Sequence, residues 1–209
     1  MAQINKPSLY FNSALHTGNG SSQSITGVGF SPDFVWLKVR STTGDHGLFD
    51  TVRGTTKFIR SNRTNGEGTS DSISSFDSDG FSLGAGWNDN SATFVSWNWF
   101  ANTTASGATS GSGTAKTYNS STSTTAGFSI VKYVGNGTAN HQFPHGLGVK
   151  PDMVFIKNLD DDTTNWQGYN SDLTATKSFK LNSSDSPATT ASVTNNVEPT
   201  TTVFNLGSA

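Results

Sequence analysis

Gly29-Phe30-Ser31-Pro32-Asp33-Phe34-Val35-Trp36-Leu37-Lys38 and Gly148-Val149-Lys150-Pro151-Asp152-Met153-Val154-Phe155-Ile156-Lys157 decide how this chain reads. Each is a Gly turn, a Pro-Asp pair and an apolar run closed by Lys. A short run that is apolar on both alternating faces is what a central strand covered on two sides requires. Pro just ahead of it can begin the strand without removing a ladder bond. Working outward, Thr17-Gly18-Asn19-Gly20 precedes the first run and Val134-Gly135-Asn136-Gly137 precedes the second. Thr56-Lys57-Phe58-Ile59-Arg60-Ser61-Asn62 faces Thr176-Lys177-Ser178-Phe179-Lys180-Leu181-Asn182, and Phe81-Ser82-Leu83-Gly84 faces Phe204-Asn205-Leu206-Gly207. The offset drifts from 117 to 123, as short loop insertions would make it. A repeat of this size predicts two copies of one domain.

The copies differ at their ends. The first continues through Trp87 and Ala92-Thr93-Phe94-Val95-Ser96-Trp97-Asn98-Trp99-Phe100. The second reaches Ala209 two residues after Gly207, without a counterpart of that aromatic strand. A sheet that lacks a core strand keeps an open edge. The expectation is a fragment of a longer polypeptide; the alternative is a strand supplied by another chain.

Ser, Thr, Asn and Gly make up 100 of the 209 residues. Thr, Val, Phe and Trp are the structural residues, and no stretch keeps a 3.6-residue apolar period, so strands and turns are expected throughout. The reading is all-β: two tandem, related β-sandwich domains of jelly-roll-like type. Residues 1–12 form an N-terminal arm, 13–100 the first repeat, 101–126 a Ser/Thr/Gly-rich linker with a docked strand near Lys116-Thr117-Tyr118, and 127–209 the second repeat. A formal charge of −2 leaves no basic footprint for nucleic acid. No apolar run approaches a membrane span, and Met1 to Pro7 has no signal-peptide core. Zero cysteines exclude disulfides and thiolate metal sites.

The polar clusters read as structure. His141 and His145 flank Phe143-Pro144 in non-helical sequence, and satisfied side chains in a turn fit them better than a metal. Asp77-Ser78-Asp79-Gly80 lacks the further ligands of a calcium loop and reads as a turn. Asp160-Asp161-Asp162 reads as a solvated loop tip. No catalytic set appears, no cofactor is expected, and Asp33 and Asp152 each stand alone. A glycan hydrolase would need two carboxylates about 5 to 9 Å apart across a cleft. Among the aromatics, Trp36 and Trp97 read as core. Trp166 lies in a polar stretch and its counterpart is His46. Trp166, Tyr169 and His46 are therefore the candidate contacts for a partner or glycan. Ile4, Pro7, Leu9 and Tyr10 are the candidate docking residues of the arm.

Tyr133-Val134-Gly135-Asn136-Gly137, His145-Gly146-Leu147-Gly148, the Lys150–Lys157 run, Thr176-Lys177 with Leu181-Asn182, Val203–Gly207 and Ser96-Trp97-Asn98-Trp99-Phe100-Ala101 carry a resemblance. Together with the Gly29–Lys38 run they resemble a repeated domain in structural proteins of tailed, marine-type bacteriophages. The resemblance covers nearly all of the chain outside residues 101–126 and names a domain type rather than an activity. It implies a non-enzymatic virion protein, made in the host cytoplasm, most simply a tail fibre or spike component. Its partners would be other virion proteins and copies of itself, a trimer by the fibre analogy, with host surface polysaccharide as a further partner. A capsid decoration or head-fibre protein, or a carbohydrate-binding module, is the alternative.

Overall fold

The computed structural model describes residues 4–208. The chain is all-β, with three short 3-10 turns among the described residues. Its first half runs β1 (Phe11–Thr17), β2 (Gln23–Ile25), β3 (Phe34–Val39), β4 (His46–Asp50), β5 (Lys57–Arg60), β6 (Gly68–Thr69), β7 (Ile73–Asp77), β8 (Gly80–Leu83) and β9 (Thr93–Trp99). The second runs β10 (Thr103–Ala108), β11 (Ser110–Gly111), β12 (Thr117–Ser123), β13 (Phe128–Tyr133), β14 (His141–Pro144), β15 (Met153–Ile156), β16 (Gln167–Asn170), β17 (Lys177–Lys180), β18 (Ala188–Thr189) and β19 (Val203–Leu206).

The first half is sandwich-like. A six-stranded antiparallel sheet, ordered β1-β9-β3-β4-β5-β6, faces the three-stranded sheet β2-β8-β7. Alternation decides the faces. Val35, Leu37 and Val39 point inward with Phe49, Phe58 and Phe94, and meet Ile25, Ile73, Phe81 and Leu83 of the smaller sheet. Phe34, Trp36 and Leu48 point the other way. In the second half, β11-β14-β19 supplies Phe143, Phe204 and Leu206, which pack on Tyr169 of β16, Val154 and Ile156 of β15, and Val131 and Tyr133 of β13.

The sequence offsets recur in single hydrogen bonds. Thr51 N donates to Asp33 O at 3.0 Å, and Ser171 N to Asp152 O at 2.9 Å. His46 N donates to Asn62 Oδ1 and Trp166 N to Asn182 Oδ1, at 3.1 and 2.9 Å. Asn62 Nδ2 in turn donates to Asp45, and Asn182 Nδ2 to Asn165, both at 2.9 Å. Ser21 N donates to Asn19 Oδ1 and Thr138 N to Asn136 Oδ1. Gly27 and Gly29 take positive φ, as do Gly146 and Gly148. In the first half this conformation aims the Gly27 and Gly29 amides at the Asp79 carboxylate, at 3.0 and 2.6 Å.

Two expectations need correction. Residues 101–126 are not a free linker. β10 pairs with β12 over six residues and β12 with β13 over six more. Composition suggested flexibility, but Thr is β-branched and suits a strand. Ser120 to Ser123 are buried with their hydroxyls bonded, Ser121 Oγ to Asp33 Oδ1 at 2.9 Å and Thr122 Oγ1 to Ser129 Oγ at 2.9 Å. The arm is also shorter than expected. Phe11 and Asn12 already belong to β1, opposite Trp99 and Asn98, while residues 1–3 lie outside the described residues. Asp160–Asp162 lies in an exposed loop, as expected, and this loop also contacts the first half. Asp162 Oδ1 accepts from Gly66 N at 2.9 Å, and Leu159 O accepts from Glu67 N at 2.7 Å, so this loop ties the two halves together.

Candidate functional site

The tryptophans trade places relative to expectation. Trp166 is 5% exposed and sits on Leu48 and Ile59 of the first half. Its indole Nε1 donates to Arg60 O at 2.7 Å. Tyr169 is fully buried in the second core. Its hydroxyl donates to Glu198 Oε2 at 2.5 Å, and burial, with Glu198 adding to it, pushes the phenol up to about 12. Lys150 closes this group at 2.7 Å from Glu198. Neither ring can serve as a stacking platform, because the surface each would offer is covered. The polar sequence around Trp166 was misleading: its neighbours cap a loop while the indole plugs the other half of the chain.

Trp36 and Trp97, expected in the core, point away from the first core on the outer face of the six-stranded sheet and are partly buried, Trp36 against the apolar cluster of Leu48, Ile59 and Trp166. Strand alternation places them there, since Val35, Leu37, Ser96 and Asn98 take the inner positions. They meet edge to face with centroids 6.2 Å apart. Trp36 Nε1 donates to His46 Nδ1 at 3.0 Å, which leaves the proton of a neutral His46 on Nε2. Burial, with Lys38 nearby, holds the His46 ring below its usual range, against the smaller opposing pull of Asp45.

Trp36 and His46 border a shallow cleft of about 400 Å³ between the halves. Trp36, His46, Ser61 and Asn62 form one wall, and Asn182 and Ser183 part of the other. Ser61-Asn62 and Leu181-Asn182 are equivalent turns, so the cleft lies where matched positions of the two halves meet. Of the three candidate contacts, only His46 reaches it. A partly exposed indole beside amide and hydroxyl groups can stack on an apolar ring face and bond its polar edge.

A second surface follows β1. Leu15 is 67% exposed and Phe11 40%, on the same outer face as Val95, Trp97 and Trp99. The arm leads into it. Pro7–Leu9 forms a 3-10 turn, Leu9 is exposed, Tyr10 packs edge-on against Phe100, and Ile4 is half-buried.

The polar clusters behave as structure. His141 opens β14 rather than a turn, with Nε2 2.6 Å from Thr109 Oγ1, and His145 Nδ1 accepts from Leu147 N. Asp77 ends β7 and Asp79 lies in the β7–β8 turn, and Asp77 accepts from Ser82 Oγ. Among the described residues no group of three or more His, Asp or Glu side chains could hold a metal ion. No helix among them is long and apolar enough to cross a membrane.

Residues 6–209 match DUF7483, a domain of unknown function, and the chain belongs to that family. The match spans both halves and residues 101–126 as one unit. No curated protein and no solved structure matches the chain.

Proposed function

We propose that this chain is a non-enzymatic structural protein of a tailed-phage virion, a fibre or spike component that presents its sheet faces and loops at the particle surface. The observation that carries the reading is the use made of the repeated residues. Asn19 and Asn136, Asp33 and Asp152, and Asn62 and Asn182 all cap turns or strand ends. The apolar positions between them fill cores. Side chains retained in both copies for holding a fold suit a module whose task is shape. Its partners are other virion proteins and, by the fibre analogy, two further copies of itself. It acts without a cofactor, nucleic acid or membrane insertion. The exposed Leu9, Phe11 and Leu15 suit the arm and β1 as the docking side. Mass spectrometry of purified particles from a phage encoding this chain tests the proposal. Stoichiometric recovery in the particle supports it; absence from the particle contradicts it.

One observation favours a second reading, a glycan-binding module. Trp36 stands partly exposed at the Asn- and Ser-lined cleft. A glycan array probed with the chain and with its Trp36→Ala variant separates the readings. Binding that Trp36→Ala abolishes favours the module; no binding to host polysaccharide removes it.

A further inference from the structure

Three Asn-Gly pairs lie in the chain, Asn19-Gly20, Asn65-Gly66 and Asn136-Gly137. In such a pair the main-chain nitrogen of the glycine can attack the asparagine side-chain amide, because no Cβ stands in the way. Two of the three are locked. Asn19 Oδ1 accepts from Ser21 N and from Asn88 Nδ2, each at 2.9 Å, and Gly20 N donates to Asn88 O at 2.8 Å. Asn136 Nδ2 donates to Ser112 O at 2.9 Å and Thr114 O at 3.0 Å, while its Oδ1 accepts from Thr138 N at 3.0 Å. Asn65 differs. It is exposed, and its amide bonds to no group among the described residues.

What holds Asn65 in check is the next residue. Gly66 is buried, its N–H donates to Asp162 Oδ1 at 2.9 Å, and Glu67 N donates to Leu159 O at 2.7 Å. The loop after β15 lies so close that a Cβ on Gly66 would collide with Leu159 O. Both bonds run from the first half to the second. The nitrogen that must turn onto Asn65 Cγ is therefore one of those that tie the halves together. It is released only when this tie opens locally.

We propose that Asn65 is a deamidation site gated by the junction between the halves, and that its product keeps the junction from closing again. When the tie opens, solvent hydroxide takes the Gly66 N–H proton and the nitrogen attacks Asn65 Cγ. A bond forms between Gly66 N and Asn65 Cγ, the Cγ–Nδ2 bond breaks, and ammonia leaves with a proton returned by water. Water then opens the five-membered imide. Breaking the N–Cγ bond gives aspartate. Breaking the bond from Gly66 N to the main-chain carbonyl carbon of residue 65 gives isoaspartate, whose main chain is one methylene longer. Nothing is oxidised or reduced. Either product puts a new carboxylate next to the residue that bonds Asp162, and like charges repel. The longer chain has no room against Leu159 O. This site stands independently of the structural role proposed above.

Peptide mapping of the full chain, incubated over days at mildly alkaline pH, tests it. The expected result is a gain of about 1 Da at Asn65, as aspartate and isoaspartate, with Asn19 and Asn136 unchanged over the same period. Asp162→Ala, in an exposed loop, removes one bond of the tie and speeds the reaction at Asn65 by about five- to tenfold without changing Asn136. Asp162→Asn keeps the shape with a neutral acceptor and speeds it by less, and serves as the test if Asp162→Ala misfolds. Asn65→Asp carries the product's charge from the start, and its Glu67 amide exchanges faster than that of the unmodified chain. A gain at Asn19 or Asn136 as fast as at Asn65 overturns the proposal. So do Asp162 variants that react no faster than the unmodified chain, because the junction then does not hold the reaction back. Unchanged Glu67 exchange in both Asn65→Asp and the isolated isoaspartate form overturns the claim that the product keeps the junction open.

Discussion

The indole N–H of Trp166 ends on the backbone carbonyl of Arg60, 2.7 Å away and 106 residues distant in sequence. Around it, Leu48, Ile59, Leu159 and Leu181 form a third apolar cluster drawn from both halves. With the Gly66–Asp162 and Glu67–Leu159 bonds, it joins the two halves of the chain.

Trp166→Ala should therefore cost about 3–5 kcal/mol of stability, the range for emptying a buried aromatic site. Trp166→Phe keeps most of the packing and loses the bond to Arg60, a cost of about 1–3 kcal/mol for the stranded carbonyl. Urea denaturation measures both. A second unfolding transition in Trp166→Ala would mark the halves coming apart separately.

Asp33 and Asp152 occupy matched positions with unequal surroundings. Asp33 is buried and its carboxylate accepts from Thr51, Ala101, Asn102 and Ser121. Asp33→Asn turns an amide N–H₂ toward donors and should destabilise by roughly 2–3 kcal/mol. Asp152→Asn, at an exposed carboxylate, should cost under about 0.5 kcal/mol. Equal costs in parallel denaturant titrations would contradict the difference in environment.

All four histidines push the pH dependence the same way. Burial is the leading cause holding His16, His46, His141 and His145 below 6.5. A depressed folded pKa favours the neutral ring, so this stabilisation is complete above 6.5 and is lost as pH falls through the folded values. The denaturation midpoint should drop between about pH 7.5 and about pH 5. His16 is the clearest test, because its two ring nitrogens are buried without partners while the ring stacks on Phe94 at 5.0 Å. His16→Phe should flatten part of the drop. Asp79, held low by the Gly27 and Gly29 amides, adds a further loss in the acid range, below 3.8.

β10 and β12 should resist limited proteolysis, and β12 amides should exchange as slowly as those of β13. Rapid cleavage inside Thr117–Ser123 in the native chain would return residues 101–126 to a linker.

The all-β class was legible because the repeated apolar runs, Pro-Asp pairs and glycines are local signals. The matched bonds of Asn62 and Asn182 follow the offset between the two similar stretches of sequence. Which face of a strand meets the core was not. In Phe34–Val39 both faces are apolar, so alternation alone could not say that Trp36 points away from the first core. Trp166 looked exposed because its neighbours are polar, but those neighbours cap a loop and the indole's partners lie in the other half. In residues 103–123 the hydroxyls that suggested a linker are satisfied by Asp33, Ala105 and Ser129, contacts that only the tertiary fold creates. The exposed Leu15 and the cleft at His46 are likewise products of packing.

Cryo-EM of intact particles from a phage encoding this chain tests the proposed role most directly. Density for the two joined halves at the tail, in threefold copies, is the expected result. Density spread over the capsid lattice would make the chain a decoration protein, and particles without it would contradict a virion role altogether.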